Sequence, residues 1–250
     1  LLEGLAPFLM GFVTLRYLTD RPEQARWLPG DEKLWLLDQL HAETDRKTEA
    51  GRVHIAAALR DPRTFLLIAI FFLIVTGNQA LIFFLPSITE NMNFPVELRT
   101  LAASLPYVCS ACGILLNGFW AQRTGRLRLH TALPMLATGI SLSLAARLVN
   151  HAPLAVALFC LAGFTSQAYL PALWTIPTTM LGKSAAATAV GLICLGNLGG
   201  FFGPWLFGYL KTITGRYDAG LWVLAGCMLL AGSLALLIRV EPQSHDSQKT

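Results

Sequence analysis

The sequence predicts an all-α membrane protein, and three observations carry that prediction. Of its 250 residues 54% are hydrophobic and only 14% charged, with a mean hydropathy of +0.53, whereas soluble domains carry about 25% charged residues. The windows 65–89, 100–122, 130–146, 148–182, 184–210 and 219–238 contain no Asp, Glu, Lys or Arg at all. Each approaches or exceeds the roughly 20 residues with which a helix, rising about 1.5 Å per residue, crosses a hydrocarbon core of about 30 Å. Finally, the charges that remain fall between these windows and weight one side of the bilayer. Fifteen of the nineteen Lys and Arg lie in alternate loops (16–63, 123–128, Lys183 and the tail), leaving Arg99, Arg147, Lys211 and Arg216 opposite. Retention of basic residues on the cytoplasmic side then predicts a cytoplasmic C-terminus. The net charge of +4 is accounted for by topology, and no nucleic-acid partner is predicted.

The elements come in order along the chain. A first apolar segment, 5–15, opens it without an initiator Met or a basic n-region, so it reads as the remainder of a helix and the chain as a C-terminal fragment. The one extended polar region, 19–63, begins with the breaker Asp20-Arg21-Pro22-Glu23. It continues with Leu34, Leu37 and Leu40 among Glu32, Lys33, Asp38, Glu43, Asp45 and Arg46. That spacing predicts an amphipathic helix over 31–47, and 53–59 predicts a second; both serve as connectors along a membrane surface or helix ends. Six spans then fill 64–240, divisible as three plus three, the plan of many secondary transporters. A polar tail, 241–250, closes the chain.

The spans are punctuated by small residues and prolines. The fifth carries Gly196, Gly199, Gly200, Gly203, Pro204 and Gly208, which permits close backbone approach to a neighbour. Pro204 removes one donor and predicts a kink there. The element Gly196, Gly199, Gly200, Gly203 and Pro204 is therefore a candidate hinge and packing face.

Polar residues inside the spans recur at helical spacing. Gln167, Pro171, Trp174 and Thr178 form one stripe with Thr175 beside it; Thr76, Gln79, Phe83 and Pro86 form another beside Asn78; Tyr107, Ser110, Ile114 and Asn117 form a third. An amide in hydrocarbon is costly unless partnered, so these faces meet other helices or a water-filled cavity. Interhelical glue explains any one of them. Together they predict a cavity for a polar solute, lined by Asn78, Gln79, Tyr107, Trp174, Thr175, Thr178 and Asn197. No acidic residue, Lys or Arg lies inside a full span, and the five His sit in loops or at span ends. Charge recognition and ion coupling are therefore expected outside these spans.

Enzyme chemistry finds no foothold: there is no Gly-x-Ser-x-Gly, no His-Glu-x-x-His and no phosphate loop with its Lys. Cys109-x-x-Cys112 lacks a second pair to complete a metal site. Neither a metal nor a cofactor is predicted, and the five cysteines read as small packing residues.

Several segments resemble the C-terminal half of the major facilitator superfamily, and within it the anion:cation symporters that include phthalate, tartrate and galactonate permeases. They are Glu3-Gly4-Leu5, the run Asp20 to Leu28, Trp174-Thr175-Ile176-Pro177-Thr178, and Gly196 to Pro204 followed by Gly208-Tyr209-Leu210-Lys211 and Thr214-Gly215. The superfamily's loop motif, Gly-x-x-x-Asp-Arg-x-Gly-Arg, is matched by Gly118, Gln122, Arg123, Gly125 and Arg126, with Gln122 replacing the Asp. That departure implies a weaker or differently built cytoplasmic gate. Relatives of this kind often carry an Asn where this chain has Ile193.

The resemblance implies the C-terminal six-helix bundle of a twelve-helix fold. In that scheme 1–18 is the end of the sixth transmembrane helix, 19–63 a cytoplasmic central loop, 64–240 the bundle and 241–250 a cytoplasmic tail. It implies a multi-pass protein of the bacterial inner membrane that carries a small organic anion with a co-transported proton by alternating access. Its partners would be the lipid bilayer and the missing N-terminal half, where the resemblance places the anion-pairing Arg and the protonatable carboxylate. The competing expectation is a non-transporting half-transporter or membrane interaction scaffold.

Overall fold

A computed structural model describes residues 2–19, 25, 27–49, 62–90, 96–148, 151–180 and 189–238. The amphipathic helix expected over 53–59 and the tail lie outside the described residues. The chain forms two compact units, 1–53 and 54–250.

The first unit holds α1 (Leu2–Tyr17) and α2 (Gly30–Glu49). Helix α1 exposes Leu5, Phe8, Leu9, Met10, Phe12 and Val13, the surface of a segment built for lipid or for apolar neighbours. Helix α2 begins with Asp31 and Glu32, where carboxylates favour the positive end of the helix dipole. Tyr17 stacks on Trp27 with ring centroids 6.1 Å apart.

The second unit is a bundle of α3 (Pro62–Glu90), α4 (Val96–Thr124), α5 (Leu127–Arg147), α6 (Ala152–Ser166), α7 (Leu170–Met180), a 3₁₀ stretch (Cys194–Leu198), α8 (Gly199–Thr214) and α9 (Asp218–Ala235). Among the described residues six helical runs are long and apolar enough to cross a membrane: Pro62–Glu90, Arg99–Thr124, Leu127–Arg147, Ala152–Thr179, Ala189–Thr214 and Asp218–Ala235. The six charge-free windows of the sequence coincide with them.

Neighbours in the bundle follow the order α8, α3, α9, α5, α6, α4, with α7 set against α5 and α4. The interior has two apolar clusters, one around Leu85, Leu142, Phe159, Phe207 and Leu221, the other around Ile70, Ile74, Met135, Leu173, Ile193 and Met228. Lipid tails are as apolar as these side chains, so close packing rather than water exclusion holds such helices together. Glycines make that packing possible. A Cβ at Gly139 would lie 2.6 Å from Leu229, and one at Gly232 would lie 2.7 Å from Leu136, so α5 and α9 seat each other's leucines reciprocally. Three hydroxyls of α5 turn back on their own helix, Thr138 donating to the Pro134 carbonyl, Ser141 to that of Ala137 and Ser143 to that of Gly139, while the buried Thr131 hydroxyl has no partner among the described residues. A segment without water must satisfy its polar groups internally in this way.

Two details depart from simple helical spacing. The fourth span is broken by a turn at 167–169, in which Gln167 lies, while Trp174 and Thr178 lie on α7. The fifth span tightens to a 3₁₀ stretch at Cys194–Leu198, and Pro204 lies within α8. The irregularity thus falls before the proline.

Candidate functional site

The cavity that matters lies between α3, α4 and α6. It has a volume of about 40 Å3, and its polar lining is Asn78, Tyr107, Ser110, Ser166 and Gln167. Leu81, Leu85 and Pro106 complete much of the wall, and no lining residue is charged. The cavity exists because α4 and α6 cross backbone to backbone. A Cβ at Gly163 would overlap the Pro106 carbonyl, and one at Gly113 would overlap that of Phe164. Cys160 neighbours Cys109 across the same crossing, and both are free thiols.

The hydrogen-bonding state of the lining is uneven. The Tyr107 hydroxyl donates to the Ile82 carbonyl at 3.1 Å, and the Ser166 hydroxyl to that of Gly163 at 3.0 Å. Both oxygens keep lone pairs free. Asn78 is only 7% exposed, and it lines the cavity with Ser110 and Gln167; the buried side-chain oxygens without a partner among the described residues are those of Thr64 and Thr131.

Of the seven residues the sequence marks for the cavity, the structure brings Asn78 and Tyr107 together here. The other five lie elsewhere. Gln79 is exposed beside Gly200; Thr175 and Thr178 are exposed on α7, donating to the carbonyls of Pro171 and Thr175 at 2.8 Å. Trp174 is half-buried, edge-on to Phe71 with centroids 5.2 Å apart. Asn197 is exposed and donates to the Cys194 carbonyl at 2.9 Å. Ser166 is the lining residue that sequence spacing did not mark; its place beside the Gln167 break was the available signal.

Asn117, on the Tyr107–Ser110 face of α4, joins three helical runs. Its amide nitrogen donates to the carbonyls of His130 and Ala168 at 2.9 and 2.6 Å, and its oxygen faces His130 Nδ1 at 2.7 Å. His130 Nε2 meets the Thr124 hydroxyl at 2.8 Å.

The loop motif ends α4 and starts α5. Gly125 has φ +64° and donates its N–H to the Ala121 carbonyl, a left-handed cap that favours glycine. A Cβ at Gly118 would sit 3.2 Å from the Pro171 ring. Arg123 lies over the Phe119 ring at 4.1 Å, Gln122 is exposed, and Arg126 caps α5 without a side-chain bond. The glycine-rich face of the fifth span packs on α3: a Cβ at Gly196 would lie 2.8 Å from the Phe72 nitrogen, and those at Gly199 and Gly203 would overlap the Phe72 and Thr76 carbonyls. Gly200 is looser, 3.6 Å from Gln79 and Val75 side-chain carbons. Ile193, where relatives often carry Asn, is fully buried in a core cluster.

Comparison with known proteins gives a consistent picture. The family model described as Major Facilitator Superfamily matches residues 1–193 and again 67–250. A protein of Agrobacterium vitis provisionally named a tartrate transporter is 30% identical over 98% of this chain and 56% of its own length. The inner membrane transport protein RhmT of Escherichia coli is 32% identical over 96% of this chain and 55% of its own. The chain therefore spans little more than half the length of these relatives. A crystal structure of the Escherichia coli fucose:proton symporter FucP (N162A) superposes with a TM-score of 0.65 at 14% identity, covering 73% of this chain and 44% of that one.

Proposed function

The chain belongs to the Major Facilitator Superfamily, and from that premise we propose that it supplies the C-terminal bundle of a proton-coupled symporter for a small organic anion. Transport proceeds by alternating access, with this bundle rocking against an N-terminal one in the bacterial inner membrane and the C-terminus cytoplasmic. The carrying observation is the α3–α4–α6 cavity, whose polar groups are all neutral. Midplane cavities between helices are where such transporters hold their solutes. The name of the Agrobacterium relative supports an organic acid as cargo, and the basic-residue asymmetry of the loops supports the orientation.

In this reading 1–18 ends the sixth transmembrane helix, 19–63 is the cytoplasmic connector, and 64–240 is the bundle. Asn78 and Tyr107 face the solute from the cavity, while Gln79, Trp174, Thr175, Thr178 and Asn197 supply neutral hydrogen bonds and an aromatic wall along the path. Gly118, Gln122, Arg123, Gly125 and Arg126 shape the cytoplasmic gate. Gly196, Gly199, Gly200, Gly203 and Pro204 keep α8 seated on α3 during the movement. Anion pairing and proton binding fall to the other bundle, because these spans contain no charged residue.

The test is uptake of labelled carboxylates by the full-length transporter in proteoliposomes, with and without an inward proton gradient. Gradient-dependent accumulation of at least one organic acid is expected. Equal uptake with the gradient collapsed would remove the proton coupling, and no uptake across a broad acid panel would remove the anion.

A further inference from the structure

We infer that His130 is a proton-binding site of this bundle: its ring, protonated and held between Asn117 and Thr124, clasps α4, α5 and the 167–169 turn together. This proton is additional to the one that drives transport, which the reading above leaves to the other bundle, and its site is independent of the cargo.

The proton positions follow from counting. The Asn117 amide nitrogen lies 2.9 and 2.6 Å from the carbonyls of His130 and Ala168, and a flipped amide would set its oxygen against two acceptors, so its orientation is fixed. Asn117 Oδ1, 2.7 Å from His130 Nδ1, can then only accept. Nδ1 therefore carries a proton. Across the ring, Nε2 lies 2.8 Å from the Thr124 hydroxyl, and that hydroxyl lies 2.8 Å from the Trp120 carbonyl. With a neutral ring, Nε2 and the carbonyl both call on the single hydroxyl hydrogen, and one contact goes without. A proton on Nε2 removes the shortage: Nε2 donates to Thr124, and Thr124 donates to Trp120. Every contact in the cluster then holds one hydrogen.

No carboxylate helps to hold this charge. At this end of the bundle α4 brings Arg123, α5 brings Arg126 and Arg128, and the turn brings Tyr169; α6, α7 and α9, which also pack on α5, bring no titratable or charged group here among the described residues. The ring is half-buried, and both burial and neighbouring cations work against a charge on it. The bonds to Asn117 and Thr124 are what favour the proton, so it is held while the three elements are together and released when they part. Thr124 is exposed, which gives Nε2 a route to exchange with water.

The clasp also reaches the cavity. Ala168, whose carbonyl Asn117 holds, directly follows Gln167 of the cavity lining. The loop motif, with Gln122 in place of its acid, lies between Asn117 and His130 in the chain. Where that motif lacks a fixed charge, the histidine supplies one that depends on pH.

The experiment is ring-nitrogen NMR of the full-length transporter, labelled at histidine, in lipid nanodiscs, with His130 assigned by backbone correlation to Leu129. In the wild type both ring nitrogens should be protonated at the acid end of the imidazole range, and the Nδ1–H tautomer should remain at the alkaline end. Thr124→Val keeps the shape of the side chain but removes the acceptor, and should lower the proton affinity of the ring about tenfold. Thr124→Ser should restore it. The pH profile of uptake in proteoliposomes should move to lower pH in Thr124→Val and return in Thr124→Ser.

A Thr124→Val titration that coincides with the wild type overturns the site. So does an Nε2–H tautomer at the alkaline end, since Asn117 Oδ1 has no proton to offer Nδ1. Should Thr124→Val not fold, the wild type decides by itself: a ring still neutral at about pH 4 overturns the site. A moved titration with an unmoved uptake profile keeps the proton site and overturns its hold on transport. Absence of all uptake removes the carrier reading and leaves the titration to judge the site.

Discussion

Two helix crossings in the bundle use the same device and reach different ends. At α3–α8, Gly196, Gly199 and Gly203 let the backbones touch along the whole face, and Thr76, whose hydroxyl is returned to the Phe72 carbonyl at 2.7 Å, fills the seam. At α4–α6, Gly113 and Gly163 bring the backbones equally close, yet just beside them the helices part around Asn78, Ser110 and Gln167. One crossing is filled; the other holds open a space lined by neutral polar groups. Glycine by itself therefore does not mark a moving or a binding element. What distinguishes the two regions is whether the polar groups beside the glycines fill the seam or line a space.

The largest effects come from breaking the crossings themselves. Gly203→Ala drives a Cβ into the Thr76 carbonyl, with Gly199 seated as closely on the Phe72 carbonyl one turn away, and should cost about 3 kcal/mol or more. Gly163→Ala meets the Pro106 carbonyl, but the cavity alongside lets α6 shift, so about 1–2 kcal/mol is expected. Unfolding of the detergent-solubilised transporter by sodium dodecyl sulfate measures both. Equal losses at the two sites would erase the contrast between a filled and an open crossing.

Next in size is a pair of amides. Asn117 and Asn78 are both Asn within apolar spans, but Asn117 has three hydrogen bonds to other helical runs and Asn78 lines the cavity. Asn117→Leu strands the Ala168 and His130 carbonyls and the His130 ring nitrogen, and should destabilise by about 2–3 kcal/mol. Asn78→Leu should be neutral or stabilising. The two substitutions are chemically identical, so a difference of sign in the same unfolding assay isolates pairing as the cause. Matching losses would show that Asn78 is held by a partner after all.

How much of this was legible in the sequence depends on the range of the signal. The spans were legible because the absence of charge over about 20 residues is a direct consequence of crossing hydrocarbon. The stripe through Tyr107, Ser110 and Asn117 was legible because α4 is unbroken, so helical spacing holds along it. The stripe through Gln167, Trp174 and Thr178 was less legible, because a turn interrupts the fourth span at 167–169 and helical spacing does not carry across it. The turn's nearest marker, Pro171, is tolerated inside other helices here, as Pro134 is inside α5. The density of glycine in Gly196–Gly203 drew attention to α8, whereas the single glycines Gly113 and Gly163 make crossings as tight. Which isolated glycine meets a backbone depends on a partner helix far away in sequence, and no local count carries that information. Pairing of the amides is a tertiary property for the same reason.

The smallest expected change is at Gly200, and it separates packing from motion on the filled side of the comparison. Its neighbours Gly199 and Gly203 would each drive a Cβ into backbone, but a Cβ at Gly200 would rest 3.6 Å from side-chain carbons of Gln79 and Val75, an ordinary contact. Alanine is favoured over glycine in a helix by up to about 1 kcal/mol, so Gly200→Ala should raise stability by a few tenths of a kcal/mol. If α8 serves only as a packed strut, uptake in proteoliposomes should stay within about twofold of wild type. If the glycine run is needed because α8 bends or slides on α3 during transport, the same variant should be more stable and slower, since freedom at this position would then be used in the cycle and not in the resting contact. A stabilised but slow Gly200→Ala would make the filled crossing the mobile one, and would leave the open crossing at α4–α6 as the rigid frame around the solute.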